Sequence, residues 1–203
     1  MSSSSRDAAF LNIPYDKRYE DLYLALISGL CSFGLIPRAT LEIPSGERRL
    51  DKIYNLIRTC GYSFHDLSRV ERDYRIPPTP RFNMPFELGL VLGWVKSRRT
   101  RHTWFVLESV ERRLHKSLSD LDGTDPLIHN GTPMGVFRVL GDALRKATFQ
   151  PTVQHMQMIY RDVVTASPQI MRRAGSPSLF RPRVFRELVV LATQSAQRTI
   201  PRR

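Results

Sequence analysis

The chain has 203 residues, 41% of them hydrophobic, and a formal net charge of +12 at pH 7. That length suits one domain, or one domain with a small appendage, and the apolar content is enough for a packed core, which excludes a disordered chain. No apolar run approaches the roughly 20 residues of a membrane span, and Met1–Asp7 lacks the apolar stretch of a signal peptide, so the expected compartment is the cytoplasm.

Ala8–Ile13 is a short continuous apolar run, the pattern of a strand buried on both faces. Tyr19–Phe33 reads as a buried helix closed by Gly34. Leu35–Leu41 is the next strand. Arg48–Cys60 places Leu50, Ile53, Leu56 and Ile57 at helical spacing before Gly61. Cys31 and Cys60 both lie in apolar helical patterns and read as buried thiols of a reducing compartment, not as a disulfide or a metal site. Tyr62–Leu67 is a third strand. Ser68–Asn83 carries Pro77, Pro78 and Pro80 and is expected to be irregular. A helix then starts near Asn83, and Thr103–Leu107 is a fourth strand.

Strands alternating with helix-length crossovers predict an α/β fold, a flavodoxin-like parallel sheet of about four to five strands flanked by helices. A polar loop, Ser117–Asn130, precedes three helical segments, Thr132–Ala147, Val153–Met171 and Pro182–Gln197. The link Arg172–Arg181 is rich in Ser, Pro and Gly. The expected organisation is an α/β domain over 1–150 and a basic helical extension over 151–203. That extension holds nine Arg, no Lys and two acids. It is either a solvated basic surface or a site for nucleic acid, an anionic membrane surface or an acidic partner.

In a parallel sheet, ligands bind at the carboxyl ends of the strands. The polar residues there are Asn12, Pro14 and Asp16 after the first strand, Arg38 and Glu42 after the second, and Asp66, Ser68 and Arg69 after the third. Arg81, Asn83 and Glu87 follow from the next crossover, and Asp120, Asp122, Gly123 and Asp125 come after the fourth strand. Each has a structural explanation alone; their recurrence at successive strand ends points to a site. No P-loop, no Gly-x-Gly-x-x-Gly and no Gly-x-Ser-x-Gly occurs. The five histidines never reach metal-ligand spacing, so no metal is expected. The acidic loop Ser119–Asp125 lacks the closing Glu of a calcium loop and is read as lining the pocket mouth.

The stretch Asn83-Met84-Pro85-Phe86-Glu87-Leu88-Gly89 is the most informative. Asn83 suits an N-cap and Pro85 a first turn. Glu87 would then lie in the first turn of an apolar helix, where the dipole favours an ionised carboxylate. Taken alone, it reads first as an ordinary first-turn acid favoured by the macrodipole.

With a first strand ending Asn12-Ile13-Pro14, and Asp66-Leu67-Ser68 ending the third, this stretch resembles the nucleoside 2-deoxyribosyltransferase and bacterial TIR-like superfamily over Phe10–Leu107. The residues before the glutamate, Arg81-Phe82-Asn83, differ from the small-residue run of deoxyribosyltransferases, so the bacterial TIR-like form is the nearer. The resemblance implies cleavage or transfer at the N-glycosidic bond of NAD or a related nucleotide, in a defence or signalling system. Glu87 would attack or stabilise the anomeric carbon, with Asp66 near the sugar or base. Asn83 and Ser68 would hold ribose or phosphate oxygens, and Asn12, Asp16 and Asp122 would shape the pocket. Arg38, Arg69 and Arg81 would clamp phosphate, and Tyr15, Phe82 or Phe86 would stack on a base. The resemblance implies no cofactor beyond the nucleotide substrate, and its partners would be further copies of the chain or an activating sensor protein. The alternative is a catalytically silent nucleotide-binding module that acts through partner assembly.

Overall fold

The computed structural model describes residues 7–43, 48–70, 72–73, 76–98, 101–121 and 123–200. Five strands form one parallel sheet: β1 (Ala8–Asn12), β2 (Ile36–Ala39), β3 (Tyr62–Asp66), β6 (Thr103–Glu108) and β7 (Leu127–Ile128), in the order β2-β1-β3-β6-β7. Every pairing is parallel, with Leu11 opposite Ala39 on one side and Phe64 on the other. The expected flavodoxin-like α/β sheet is therefore the architecture of this chain, with order 2-1-3-4-5 once the small hairpin below is set aside.

The hairpin is β4 (Arg72–Asp73) paired antiparallel with β5 (Thr79–Pro80). The proline-rich segment is thus not wholly irregular. Proline is tolerated on so short an outer strand because its missing N–H has no inner neighbour to serve. Strand β7 was hidden in the polar loop because two residues carry no readable alternation.

Successive residues of β1 face opposite layers. Ala9 and Leu11 pack with α1 (Glu20–Ser32) and α5 (Pro133–Ala143), whereas Ala8 and Phe10 pack with α2 (Arg49–Arg58) and α3 (Asn83–Arg98). A third cluster, Leu67, Met84, Leu88, Val106 and Leu114, joins the carboxyl end of β3 to α3 and to α4 (Arg113–Ser117).

Helix α1 is buried from Leu22 to Ser32 on all sides, as a helix apolar all round must be. Its outer face is covered by α6 (Val153–Arg173) and α7 (Pro182–Thr199). Met156, Ile159, Val163, Val184, Phe185 and Leu188 belong to the same cluster as β1 and α1. The basic C-terminal segment therefore contributes apolar faces to the main core and keeps its described arginines outside. Burying one such large side chain contributes about 1.5–3 kcal/mol. Among the described residues no helix is long and apolar enough to cross a membrane.

Candidate functional site

The chain passes from β1 to β2 on one side and returns across β1 to β3 on the other. The carboxyl ends of β1 and β3 diverge at this switch point, where open α/β sheets bind ligands. A cleft of about 440 Å³ opens there, within the range of small-molecule sites. Asn12, Pro14 and Tyr15 come to it from β1, Thr40 from β2, and Arg49 from α2. The segment Pro77–Phe82, apart from Pro78, with Asn83, Met84 and Glu87 of α3, closes the other wall.

Glu87 is 8% exposed, and no hydrogen bond or ion pair engages its carboxylate among the described residues. Phe86 N–H donates to the Phe82 carbonyl at 2.9 Å, so Phe82 holds the capping position expected of Asn83. Glu87 thereby falls in the second turn, not the first. The expected dipole-held ionisation is opposed by burial. Burial pushes the carboxyl up to about 7, with the Arg49 guanidinium pulling weakly the other way. Loss of solvent outweighs a helix terminus one turn removed, because dipole effects fade within the first turn.

Tyr15 adds to this environment. Its hydroxyl shares a 2.9 Å hydrogen bond with Thr40 Oγ1. Burial, relieved in part by that bond and reinforced by Glu87, drives the phenol well above its ordinary value, so it stays protonated.

Asn12 is 2% exposed and anchors a buried polar chain. Its Nδ2 donates to the Met84 carbonyl at 2.7 Å and lies 2.8 Å from His65 Nδ1. His65 Nε2 is 2.9 Å from Ser63 Oγ, which is 2.9 Å from His102 Nε2, and His102 Nδ1 is 2.8 Å from the Cys60 carbonyl. Burial, with His102 nearby, depresses His65 to about 3, and burial also lowers His102. Both rings are neutral at physiological pH. Neither histidine figured among the sequence candidates, because His65 inside β3 and His102 just before β6 stand at no telling spacing.

Asp66 is fully buried and does not line the cleft. One oxygen accepts the Tyr19 hydroxyl, the other accepts Ser68 N–H at 2.8 Å, and His129 Nε2 lies 3.1 Å away, at ion-pair distance but outside good hydrogen-bond geometry. Burial alone would raise this carboxyl, yet His129, Ser68 and Tyr19 hold it below its ordinary value. The Asn130–Gly131 turn, both residues at positive φ, lets Gly131 N–H donate to His129 Nδ1 at 3.0 Å, which leaves the ring proton on Nε2 facing Asp66. Asp66 is therefore held by Tyr19, Ser68 and His129 and is not among the residues that line the cleft. Tyr19 and His129 escaped the sequence reading, Tyr19 inside an apolar run and His129 after the two-residue strand.

Arg81 and Asn83 line the cleft as expected. Asp16 does not form its floor: its carboxylate engages Arg81 and, at 2.9 Å, Arg69, and these guanidinium groups, offsetting its partial burial, lower its pKa. The expected arginine clamp is thus tied to a protein carboxylate. Arg38 lies outside the cleft, with Nε 2.9 Å from Glu42 four residues on. Ser68 is buried, its carbonyl held by Arg113, which also pairs with buried Glu108. Asp125 lines a different hollow beside Tyr62 and Thr103, at the amino ends of the strands, so this part of the acidic loop does not reach the cleft mouth. Asp122 lies outside the described residues. Phe82 lines the cleft and is 66% exposed, whereas Phe86 faces solvent away from it.

Among the described residues no group of three or more His, Cys, Asp or Glu side chains is placed to hold a metal ion. Cys31 and Cys60 are free buried thiols, and burial pushes each up to about 12. No family model, curated protein or solved structure matches the chain.

Proposed function

We propose that this chain cleaves or transfers the N-glycosidic bond of a nucleotide, NAD among the candidates, with Glu87 as the carboxylate that faces the anomeric carbon. The observation that carries the reading is Glu87 itself, buried yet without a hydrogen-bond partner among the described residues, in a cleft at the switch point of a parallel sheet. An unpaired buried carboxylate costs stability, and such a cost is typical of a group kept for chemistry.

In this reading the C1′–N bond breaks with its electron pair leaving on the base. The sugar becomes oxocarbenium-like, and Glu87 stabilises the positive charge where it develops. Water or an acceptor hydroxyl then bonds to C1′. A carboxyl with a pKa of about 7 suits removal of the proton from that nucleophile at neutral pH. Arg49 gives the cleft a positive wall suited to a substrate phosphate, beside an Arg81 already held by Asp16. Exposed Phe82 offers a face for the base.

A second reading, a catalytically silent nucleotide-binding module acting through partner assembly, is favoured by one observation. Glu87 is the sole carboxylate among the described cleft residues, whereas most glycosidases use two. Base release by wild type and its loss in Glu87→Gln, with nucleotide binding retained in both, decides for the enzyme. A role in defence or signalling, with self-assembly or a sensor protein as the activator, belongs to the same proposal, as does nucleic-acid binding by the basic C-terminal segment.

A further inference from the structure

The hydrogen-bond chain through Asn12 has only one consistent proton arrangement. The Met84 carbonyl can only accept, so the atom 2.7 Å from it must be the amide nitrogen of Asn12. The same nitrogen lies 2.8 Å from His65 Nδ1, which must therefore be unprotonated. Neutral His65 then carries its proton on Nε2 and donates it to Ser63 Oγ. The Ser63 hydroxyl donates in turn to His102 Nε2, and His102 Nδ1–H donates to the Cys60 carbonyl. Both amide hydrogens of Asn12 are consumed inside the protein. Its Oδ1 has no hydrogen bond among the described residues, although the side chain is almost wholly buried and lines the cleft.

We infer that Asn12 Oδ1 accepts a hydrogen bond from the 2′-hydroxyl of a ribosyl group, so that the cleft selects ribonucleotides over 2′-deoxyribonucleotides. The inference rests on the N-glycosidase reading, because Glu87 facing C1′ places the hydroxyl on the adjacent carbon as the nearest donor. Met84, which anchors Asn12, precedes Glu87 by three residues, so acceptor and carboxylate are held by the same stretch of α3. A ligand lacking that hydroxyl leaves a buried acceptor unpaired, a loss that exceeds the net value of one hydrogen bond. His65, Ser63 and His102 are positioning residues: they fix which end of the amide faces the cleft and touch no substrate.

The test uses full-length Glu87→Gln, which separates binding from turnover. Calorimetric affinities are measured for NAD and AMP against their 2′-deoxyribosyl counterparts, in this background and with Asn12→Ala added. The expected result is roughly tenfold or greater weakening by 2′-deoxygenation, which disappears when Asn12 is alanine. Equal affinities for ribose and deoxyribose forms overturn the inference, and so does failure to bind either form. Bound ribonucleotide with clear 2′-discrimination but no base release by wild type would sink the glycosidase reading and leave the subsite standing. Nitrogen-15 spectra of the histidine rings test the arrangement without ligand. His65 should show an unprotonated Nδ1 and a protonated Nε2, and the opposite tautomer overturns the assignment whatever the stability of the Asn12 variant.

Discussion

Asn12 Nδ2 donates to the Met84 carbonyl across 2.7 Å, tying the end of β1 to the first turn of α3. One turn further on, Glu87 lines the cleft without a hydrogen-bond partner among the described residues. The sheet thus sets the position of the carboxylate through a backbone contact three residues before it, and leaves the carboxylate itself free to meet a ligand.

Glu87→Gln should raise stability at alkaline pH. The folded carboxyl titrates near 7 against 4.5 for an ordinary glutamate, so the folded state holds its proton more tightly between those values. Stability from this group is full below about 4.5, falls as pH rises to about 7 and is then level. The difference corresponds to a cost on the order of 3 kcal/mol at pH 8. Urea midpoints of the two proteins should nearly coincide at pH 4.5 and separate at pH 8, with the glutamine variant the more stable. A constant gap between the two would refute the buried-carboxyl account.

Arg49→Ala should push the Glu87 carboxyl still higher, because Arg49 is the charge that opposes burial. The acid limb of the kcat/KM profile should move to higher pH, and KM should rise most for substrates with a terminal phosphate. An unmoved limb would mean that Arg49 does not act on Glu87.

Asp66→Asn should behave as a stability variant. Its folded pKa lies below 3.8, so its contribution is present above about pH 4 and is lost as pH falls through the folded value. Removing the charge from a buried carboxylate beside His129 and Tyr19 should cost about 3 kcal/mol or more at pH 7. Base release per folded molecule should change little. Selective loss of kcat with an unchanged urea midpoint would return Asp66 to the chemistry.

Gly135→Ala should report on the same support. A Cβ at Gly135 would sit 1.8 Å from the His129 carbonyl oxygen. Relief requires the start of α5 to move away from His129, at a cost of about 2 kcal/mol or more. The melting temperature should fall and the His129 ring signals should shift; an unchanged melting temperature would show that the close approach is not kept in solution.

Much of this arrangement was legible in the sequence where the signal was local and periodic. The run Ala8–Ile13 is nearly continuous because its strand lies inside the sheet. The helix before Gly34 and the one carrying Glu87 were readable from spacing and punctuation. Strand β7 was not, since two residues carry no pattern, and with it went His129. Asp66 was misplaced relative to the site for a different reason: a carboxylate at a strand end looks the same in sequence whether it faces solvent or Tyr19. Arg38 likewise gave no sign that Glu42 would claim it. The Asn12–His65–Ser63–His102 chain depends on register between β1 and β3 and on the approach of α3, which no single segment encodes.

The most direct test of the central claim is base release from NAD, NADP, AMP and their deoxy counterparts, followed by chromatography with wild type and Glu87→Gln side by side. The account predicts release by wild type from at least one ribonucleotide and none above background by Glu87→Gln, whose nucleotide affinity and fold are intact. Equal release by both proteins, or no release by wild type while it binds nucleotide, would contradict the assignment of Glu87 as the catalytic carboxylate.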